Sequence, residues 1–548
     1  MKKRALFLGI ITAVSLLSSC GKSPEPDPGP QPEPIPVITE FNAAKCNNGT
    51  FVGDEKEDIV VWRGIPYATQ PVGESLRWKK ALPAEDNNGT FAAVKPGHMP
   101  IGTSDDTNGA VQFGEDCLVL NVFNSKKSTI KNKPVMVWIH GGGFVSESIA
   151  SPLYDLSHIA YQHPDILFVT IEYREGFLGF MNFDNVEGGE NYKDATNLGL
   201  LDQLEALKWI NKNISAFGGD PNRVTLFGES AGSASITFLP LIEGSEGLFN
   251  RVIIQSSNLA YCDTMEHGMH VTQNFLHVTG CTKMEELLKL SVNDLLKATK
   301  EGTAIDSKNM LGAANFPLLD GRVLPEDRAD MYKMWESEKL ADIDVLIGSN
   351  RDEVKYFLPI QGDKESFTEA LRWVVRKDRT MLNDEEKVMF DKFMDTLKGE
   401  DELERLQQYA NDMNFRAGNT NLAIRHSKAG GNTYMYYLEK PGVNEELGVI
   451  HGTEMMYLFD NTFHHLNYTF IPMECEFKYE IKEMWVNFAK TGNPSTDDHE
   501  WLKFSGDNRQ TMVFSDTIGM QKDILGRRED YMMSWAERLG NGASKRFC

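Results

Sequence analysis

From about Val37 onward the sequence has no apolar run long enough to span a bilayer, no internal repeat and no second proline-rich linker. These absences favour one continuous domain. Positive charge is also in deficit. The formal net charge is −23, so the basic footprint needed to hold a phosphate backbone is missing, and nonspecific nucleic-acid binding is excluded as a function class. Cysteine is scarce: Cys20, Cys46, Cys117, Cys262, Cys281, Cys475 and Cys548 are the only 7 in 548 residues, and pairing cannot be deduced from their count. The remaining composition, 41% hydrophobic and 25% charged, is ordinary for a globular chain and allows one large α/β domain or two smaller ones.

At the N-terminus Lys2, Lys3 and Arg4 precede an apolar run from Ala5 to Leu17, too short and wrongly flanked for a membrane span but suited to an export signal. The run ends in Leu17-Ser18-Ser19-Cys20, which resembles a bacterial lipoprotein cleavage box. Residues 1–19 are then the signal and Cys20 the lipidated first residue of the mature chain; the plainer alternative is a secretory signal with an incidental Cys. Residues 20–36, dominated after Cys20 by Pro with Glu and Asp, cannot build a core and read as an extended tether. Residues 37–548 form the expected catalytic domain. The expected location is the bacterial cell envelope, at its periplasmic or surface face, with membrane contact only through a lipid on Cys20.

Asn48-Gly49 and Asn88-Gly89 read as Asn-Gly turns among short β-like runs such as Ile59 to Trp62, predicting small antiparallel strands near the start. Further on, Val135 to Ile139, Ile166 to Ile171, Val224 to Phe227, Val252 to Gln255 and Val345 to Gly348 are short and rich in branched residues, as in a sheet buried on both faces. Between the second and third, Leu200, Leu204, Leu207, Ile210 and Ile214 recur at helical spacing within Asn197 to Phe217. Strand, helix, strand in succession implies a largely parallel α/β sheet. The segments Met265 to Leu311 and Lys364 to Asn421 read as helical insertions able to cap a site.

The strongest chemical signal is Gly228-Glu229-Ser230-Ala231-Gly232, directly after one of these strands. A serine placed there sits on a strand-to-helix turn so tight that its hydroxyl projects above the sheet, and side chains in place of the flanking glycines would clash. A second signal is His140-Gly141-Gly142-Gly143-Phe144, where successive glycines let backbone N–H groups converge on a developing oxyanion; such donors contribute about 2.7–4 kcal/mol each. Gly142, Gly143 and Ala231 are the oxyanion-hole candidates. An acid and a base follow in Gly348-Ser349-Asn350-Arg351-Asp352-Glu353 and Val449-Ile450-His451-Gly452, giving the order Ser, acid, His of α/β-hydrolases. On the residues alone, Asp352 competes with Glu353 for the acid role, and any of the 12 histidines could be the base. His464-His465 reads as a polar loop pair rather than a ligand site.

Taken together, RGIPYATQPVGESLRW from Arg63, EDCLVLNVF from Glu115, HGGGF from His140, the stretch from Asn197 through GESAG, and VNFAKTGNPS from Val486 resemble the type B carboxylesterases. That family includes cholinesterases, bile-salt-activated lipase and bacterial para-nitrobenzyl esterases. The resemblance covers nearly the whole chain after the tether and implies an α/β-hydrolase fold, a central, mostly parallel sheet flanked by helices with helical cap insertions. It also implies a Ser230, Glu353 and His451 triad, with Glu229 as an electrostatic support for His451, Glu454 matching the last position of the family's HGxE motif, and Arg77 with Glu115 as a structural ion pair. The substrate it implies is a small-molecule carboxylic ester of small to medium size, cleaved without cofactor or metal. Alternatives are a lipase or polymer-ester hydrolase, or a non-catalytic binding protein, on the same fold. Two departures stand out. No Cys lies between Cys46 and Cys117, so a disulfide common in animal relatives is absent or rerouted to Cys46. The loop GTSDDTNGAVQFGEDC has no Trp, which disfavours choline esters. Cys262 and Cys281 could bridge in an oxidising compartment. Oligomeric state is left open.

Overall fold

The computed structural model describes residues 33–532 apart from 105–106, 108, 307–314, 358–362, 443–447, 466–467, 471–475 and 527. The expected signal, Cys20 and nearly all of the tether lie outside the described residues, as do Cys475 and Cys548.

Strands follow in chain order: β1 (Ala43–Cys46), β2 (Gly49–Lys56), β3 (Ile59–Pro66), β4 (Thr90–Ala93), β5 (Val119–Ser125), β6 (Lys133–Ile139), β7 (Leu167–Ile171), β8 (Gly219–Glu229) and β9 (Arg251–Gln255). After the two-residue strands β10 (Asp263–Thr264) and β11 (Leu318–Leu319) come β12 (Asp344–Asn350), β13 (Thr433–Leu438), β14 (Phe463–His465), β15 (Tyr468–Phe470), β16 (Gln510–Phe514) and β17 (Ile518–Lys522). One large sheet has the order β1-β2-β3-β5-β7-β6-β8-β9-β12-β13-β16-β17, with β4 added to β2. Its centre from β7 to β16 is parallel, and antiparallel strands close both ends.

The near-continuous apolar runs are explained by burial on both faces. Val135, Val137 and Ile139 of β6 join one core, with Val252 and Ile254 of β9 and Val345 and Ile347 of β12. The alternating residues Met136, Trp138, Ile253 and Leu346 join a second core on the opposite face. The first core is completed by the helix Leu198–Asn213, through Leu200, Leu204, Leu207 and Ile210, and by the helix Ala231–Phe238. The second is completed by the helices Ser157–Gln162, Thr453–Phe459 and Phe477–Thr491. A smaller core of Trp78, Phe177, Val271, Phe275 and Leu287 seats the helices Met265–Thr279 and Val292–Asp306, and another, including Phe390, Phe393 and Tyr409, seats the helices from Lys364 to Lys428. Both expected cap insertions are therefore helical where described.

Three expectations need correction. The first hairpin turns on Asn47-Asn48, one residue earlier than expected, because Cys46 pairs with Gly49. The strand after Asn88-Gly89 pairs parallel to β2, so that dipeptide closes no hairpin. Finally, His464 and His465 belong to β14 rather than to a loop.

Candidate active site

In a parallel sheet the carboxyl ends of all strands point the same way, and ligands bind in the crevice outside them. The chemically marked segments leave from these ends: His140 after β6, Ser230 after β8 and Glu353 just past β12, while the connection after β13 returns through His451.

Ser230 has φ 54° and ψ −123°, a backbone conformation costly for a residue with a side chain, between the last residue of β8 and the first turn of the helix Ala231–Phe238. Its N–H donates to the Gln255 carbonyl at 3.0 Å, anchoring the turn to β9. The tightness requires Gly232, where a Cβ would lie 2.0 Å from the Ile139 carbonyl oxygen. Ser230 Oγ makes no hydrogen bond with another described residue.

His451 is 6% exposed, and its Nδ1 lies 2.6 Å from Glu353 Oε2. The other Glu353 oxygen accepts the Asn350 N–H at 2.7 Å, so this fully buried carboxylate is held on both oxygens. Asp352, the competing acid, points elsewhere: it accepts the Val449 N–H at 2.9 Å and pairs with Arg351 and Lys355 at 3.0 and 3.3 Å. It fastens the His451 loop to the end of β12 and does not meet the imidazole.

His451 Nε2 lies 3.1 Å from Glu229 Oε1, outside hydrogen-bonding alignment. The nitrogen that would take a proton from Ser230 is thus turned toward the residue preceding it. Catalytic hydrogen bonds are often loose before substrate binds. Burial works against a charged His451, but the carboxylates of Glu229 and Glu353, the Glu353 hydrogen bond and the more distant Glu454 outweigh it and raise its pKa to about 9. Burial also pushes Glu229 well above the usual carboxylate range, against the attraction of His451. Both shifts favour the protonated form of their group.

Gly142 has φ +83°, and a Cβ there would fall 1.8 Å from the Ser146 carbonyl oxygen. The loop curls because Val145 and Ser146 N–H groups both donate to the Gly142 carbonyl at 3.1 Å. Gly142, Gly143 and Ala231 keep their own N–H groups clear of described protein acceptors. Behind them His140 is fully buried, stacked on Tyr173 with centroids 4.5 Å apart, and its Nε2 meets Glu172 at 2.8 Å.

Sequence reasoning missed several supports. Glu454, already matched to the family motif, is buried and ties three strands together: Asn350 of β12 donates to it at 2.5 Å, Gln255 of β9 and the adjacent Ser256 at 3.4 and 3.3 Å, and the Tyr436 hydroxyl of β13 at 3.4 Å. Burial and the nearby Glu353 charge raise its pKa. Asn350, three residues before Glu353, was visible in its motif but unassigned. Glu172, beside His140, and Asn411, which donates to the Arg351 carbonyl at 2.9 Å, carried no local signal at all. Arg77 and Glu115 do form the expected buried ion pair, at 2.6 and 2.8 Å, and Arg77 also donates to the Leu287, Leu288 and Leu290 carbonyls.

Cys46, Cys117, Cys262 and Cys281 are free thiols. Of the two alternatives for Cys262 and Cys281, a bridge or free thiols, the second is observed, and Cys262 lies 3.4 Å from the Arg328 guanidinium. Cys117 is not rerouted to Cys46. No cluster of metal-binding side chains occurs among the described residues. Clefts of about 480 and 780 Å³ flank the segment around His98 to Asp116, and neither is lined by Ser230, Glu353 or His451.

The carboxylesterase family model matches residues 42–531. The chain is 33% identical to the para-nitrobenzyl esterase of Bacillus subtilis (strain 168), covering 87% of this chain and 95% of the relative. It is 27% identical to an acetylcholinesterase of Leptinotarsa decemlineata, with 84% and 79% covered. Among solved structures, the Geobacillus stearothermophilus carboxylesterase EST55 superposes with TM-score 0.77 at 30% identity, covering 89% of this chain and 99% of that one. A para-nitrobenzyl esterase superposes with TM-score 0.74 at 29% identity, covering 90% and 99%.

Proposed function

We infer the following mechanism from the premise that this chain belongs to the carboxylesterase family and is, on the α/β-hydrolase fold, a carboxylic ester hydrolase. The non-catalytic reading gives way to that premise.

Ser230 is the nucleophile, His451 the general base and Glu353 the carboxylate that orients it. The observation that carries this assignment is the buried Glu353 to His451 contact of 2.6 Å, made at the same end of the sheet where Ser230 occupies its strained turn. As a substrate displaces the Glu229 contact, His451 Nε2 turns to Ser230 and takes its proton while Oγ attacks the ester carbonyl. The oxyanion is met by the N–H groups of Gly142, Gly143 and Ala231, the last at a helix N-terminus whose partial positive charge adds to the stabilisation. Collapse of the tetrahedral intermediate expels the alcohol, which receives the proton from His451, and leaves an acyl group on Ser230. Water, deprotonated by the same imidazole, then releases the acid.

The substrates are small to medium esters. Tyr356, Phe357 and Phe415 surround His451 with ring centroids 5.8, 5.5 and 5.1 Å away, an apolar enclosure that supports a confined acyl or alcohol group. The mature enzyme is exported and anchored through a lipid on Cys20, acting on extracellular or periplasmic esters. Incorporation of labelled palmitate into the wild type and not into Cys20→Ser supports the anchor; a wild type that takes up no label overturns it.

Hydrolysis of para-nitrophenyl acetate, butyrate and palmitate by the chain from Val37, beside Ser230→Ala, tests the reading. Loss of nearly all activity in the variant with preference for the shorter esters is expected. A palmitate preference would favour a lipase, and an active Ser230→Ala would remove Ser230 from the mechanism.

A further inference from the structure

The helix that packs over the acid turn is irregular. The α-helix Glu402–Asn411 passes through a π-helical turn, Asp412–Arg416, before continuing as the α-helix Ala417–Lys428. Widened turns of this kind weaken the regular hydrogen-bond ladder and persist where the displaced groups are used. Here two of them face the site. Asn411, at the last residue before the widened turn, is 8% exposed; its Oδ1 accepts the Val354 N–H at 2.9 Å and its Nδ2 donates to the Arg351 carbonyl at 2.9 Å. Those two backbone groups bracket Glu353. One turn further on, Phe415 sets its ring 5.1 Å from that of His451.

The widened turn is itself fixed to the sheet. The Asn258 side chain donates to the Asn414 and Phe415 carbonyls at 3.0 and 3.3 Å, and Asn419 donates to the Gly348 carbonyl of β12 at 2.8 Å. Asn258 comes this close because residue 418 is glycine, where a Cβ would lie 2.1 Å from the Asn258 side chain. The helix, β12 and the acid turn that follows it are therefore registered to one another through side-chain amides.

The geometry points to Asn411 as a positioning residue for the hydrolytic reaction, holding the backbone on both sides of Glu353 so that its carboxylate stays aligned with His451. This rests on the triad reading. Asn411 touches neither substrate nor His451; it acts by preventing the Glu353 turn from shifting. Misplacement of a catalytic group by about 1 Å is enough to cost about 100-fold in rate. The charged groups that face His451 are Glu229 at the end of β8, Glu353 on the acid turn and Glu454 on the helix Thr453–Phe459, so a slackened Glu353 contact lowers the imidazole pKa.

The test is Asn411→Ala, with kcat expressed per site titrated by a stoichiometric serine-directed phosphonate. The expected result is kcat lower by about tenfold or more, KM little changed, and the ascending limb of kcat/KM displaced to lower pH. Asn411→Ser, which keeps a small polar side chain too short to span both backbone groups, is measured alongside in case the alanine variant does not fold. Wild-type kcat per titrated site with an unmoved limb in the folded variant overturns the proposal. So does a loss of activity that merely parallels loss of titratable sites, since that is the mark of a structural role. Failure of the triad reading is seen separately, as activity surviving in Ser230→Ala.

Discussion

At His451 three carboxylates converge, and each acts differently. Glu353 holds Nδ1, Glu229 lies beside Nε2, and Glu454 adds charge from behind. In the proposed mechanism general-base catalysis needs the neutral imidazole, so kcat/KM is expected to rise as His451 loses its proton. Replacing Glu229 by Gln removes a charge that stabilises the imidazolium, and the ascending limb of the kcat/KM profile is expected to move to lower pH; an unmoved limb would mean that Glu229 is uncharged there. The same shift has a consequence for folding. A histidine raised from 6.5 to about 9 contributes stability that is fully present below the unfolded value and lost as pH rises through the folded one. The stability difference between wild type and His451→Gln is thus expected to shrink between those limits, measured by denaturant titration at each pH. The neighbouring acids separate by the same logic. Glu353→Gln is expected to lower kcat on the order of 10³–10⁴-fold, whereas Asp352→Asn, which still accepts the Val449 N–H, is expected to stay within about tenfold. Steady-state kinetics on one para-nitrophenyl ester distinguishes them, and the reverse ranking would exchange their roles.

At the scale of elements, local signals were legible where one segment decides its own conformation. The strand Val135 to Ile139 was expected and Lys133–Ile139 is observed, and the helix expected within Asn197 to Phe217 runs Leu198–Asn213 before a 3₁₀ turn. The first hairpin slipped by one residue because pairing with the neighbouring strand, not the Asn-Gly dipeptide alone, sets the register. Likewise the pairing of Thr90–Ala93 depends on where β2 lies, which a local turn signal does not contain. The junction between β8 and the helix that follows it depends on absence of a side chain. Gly232→Ala drives a Cβ toward the Ile139 carbonyl oxygen and is expected to destabilise by about 1–3 kcal/mol or more, read from the denaturation midpoint and soluble yield.

Over the whole molecule, a few long-range contacts join segments distant in sequence. The Arg77–Glu115 pair is buried and satisfied by three further carbonyls of the segment before the helix Val292–Asp306. Removing one partner leaves an unpaired buried charge, and Arg77→Met is expected to cost about 3–5 kcal/mol, without a change in kcat per titrated site. The thiols give a second molecular prediction. Alkylation of the denatured, unreduced protein followed by peptide mass analysis is expected to label Cys46, Cys117, Cys262 and Cys281; protection of Cys262 and Cys281 together would restore the bridge between them.

The sequence by itself determined the fold class and the chemically marked motifs, because both rest on short-range constraints: apolar runs needing burial, and glycines where no side chain fits. Tertiary structure decided which acid meets the imidazole, since Asp352 and Glu353 are adjacent and only the approach of the loop after β13 turns one inward and leaves the other to bind backbone. It also decided the supports. Asn411 reaches the acid turn from a helix 60 residues away from Arg351 along the chain, and nothing local to either segment records that contact. The physical reason is that periodicity reports which face of an element is buried, whereas a hydrogen bond between distant segments depends on the positions of both after the core has packed.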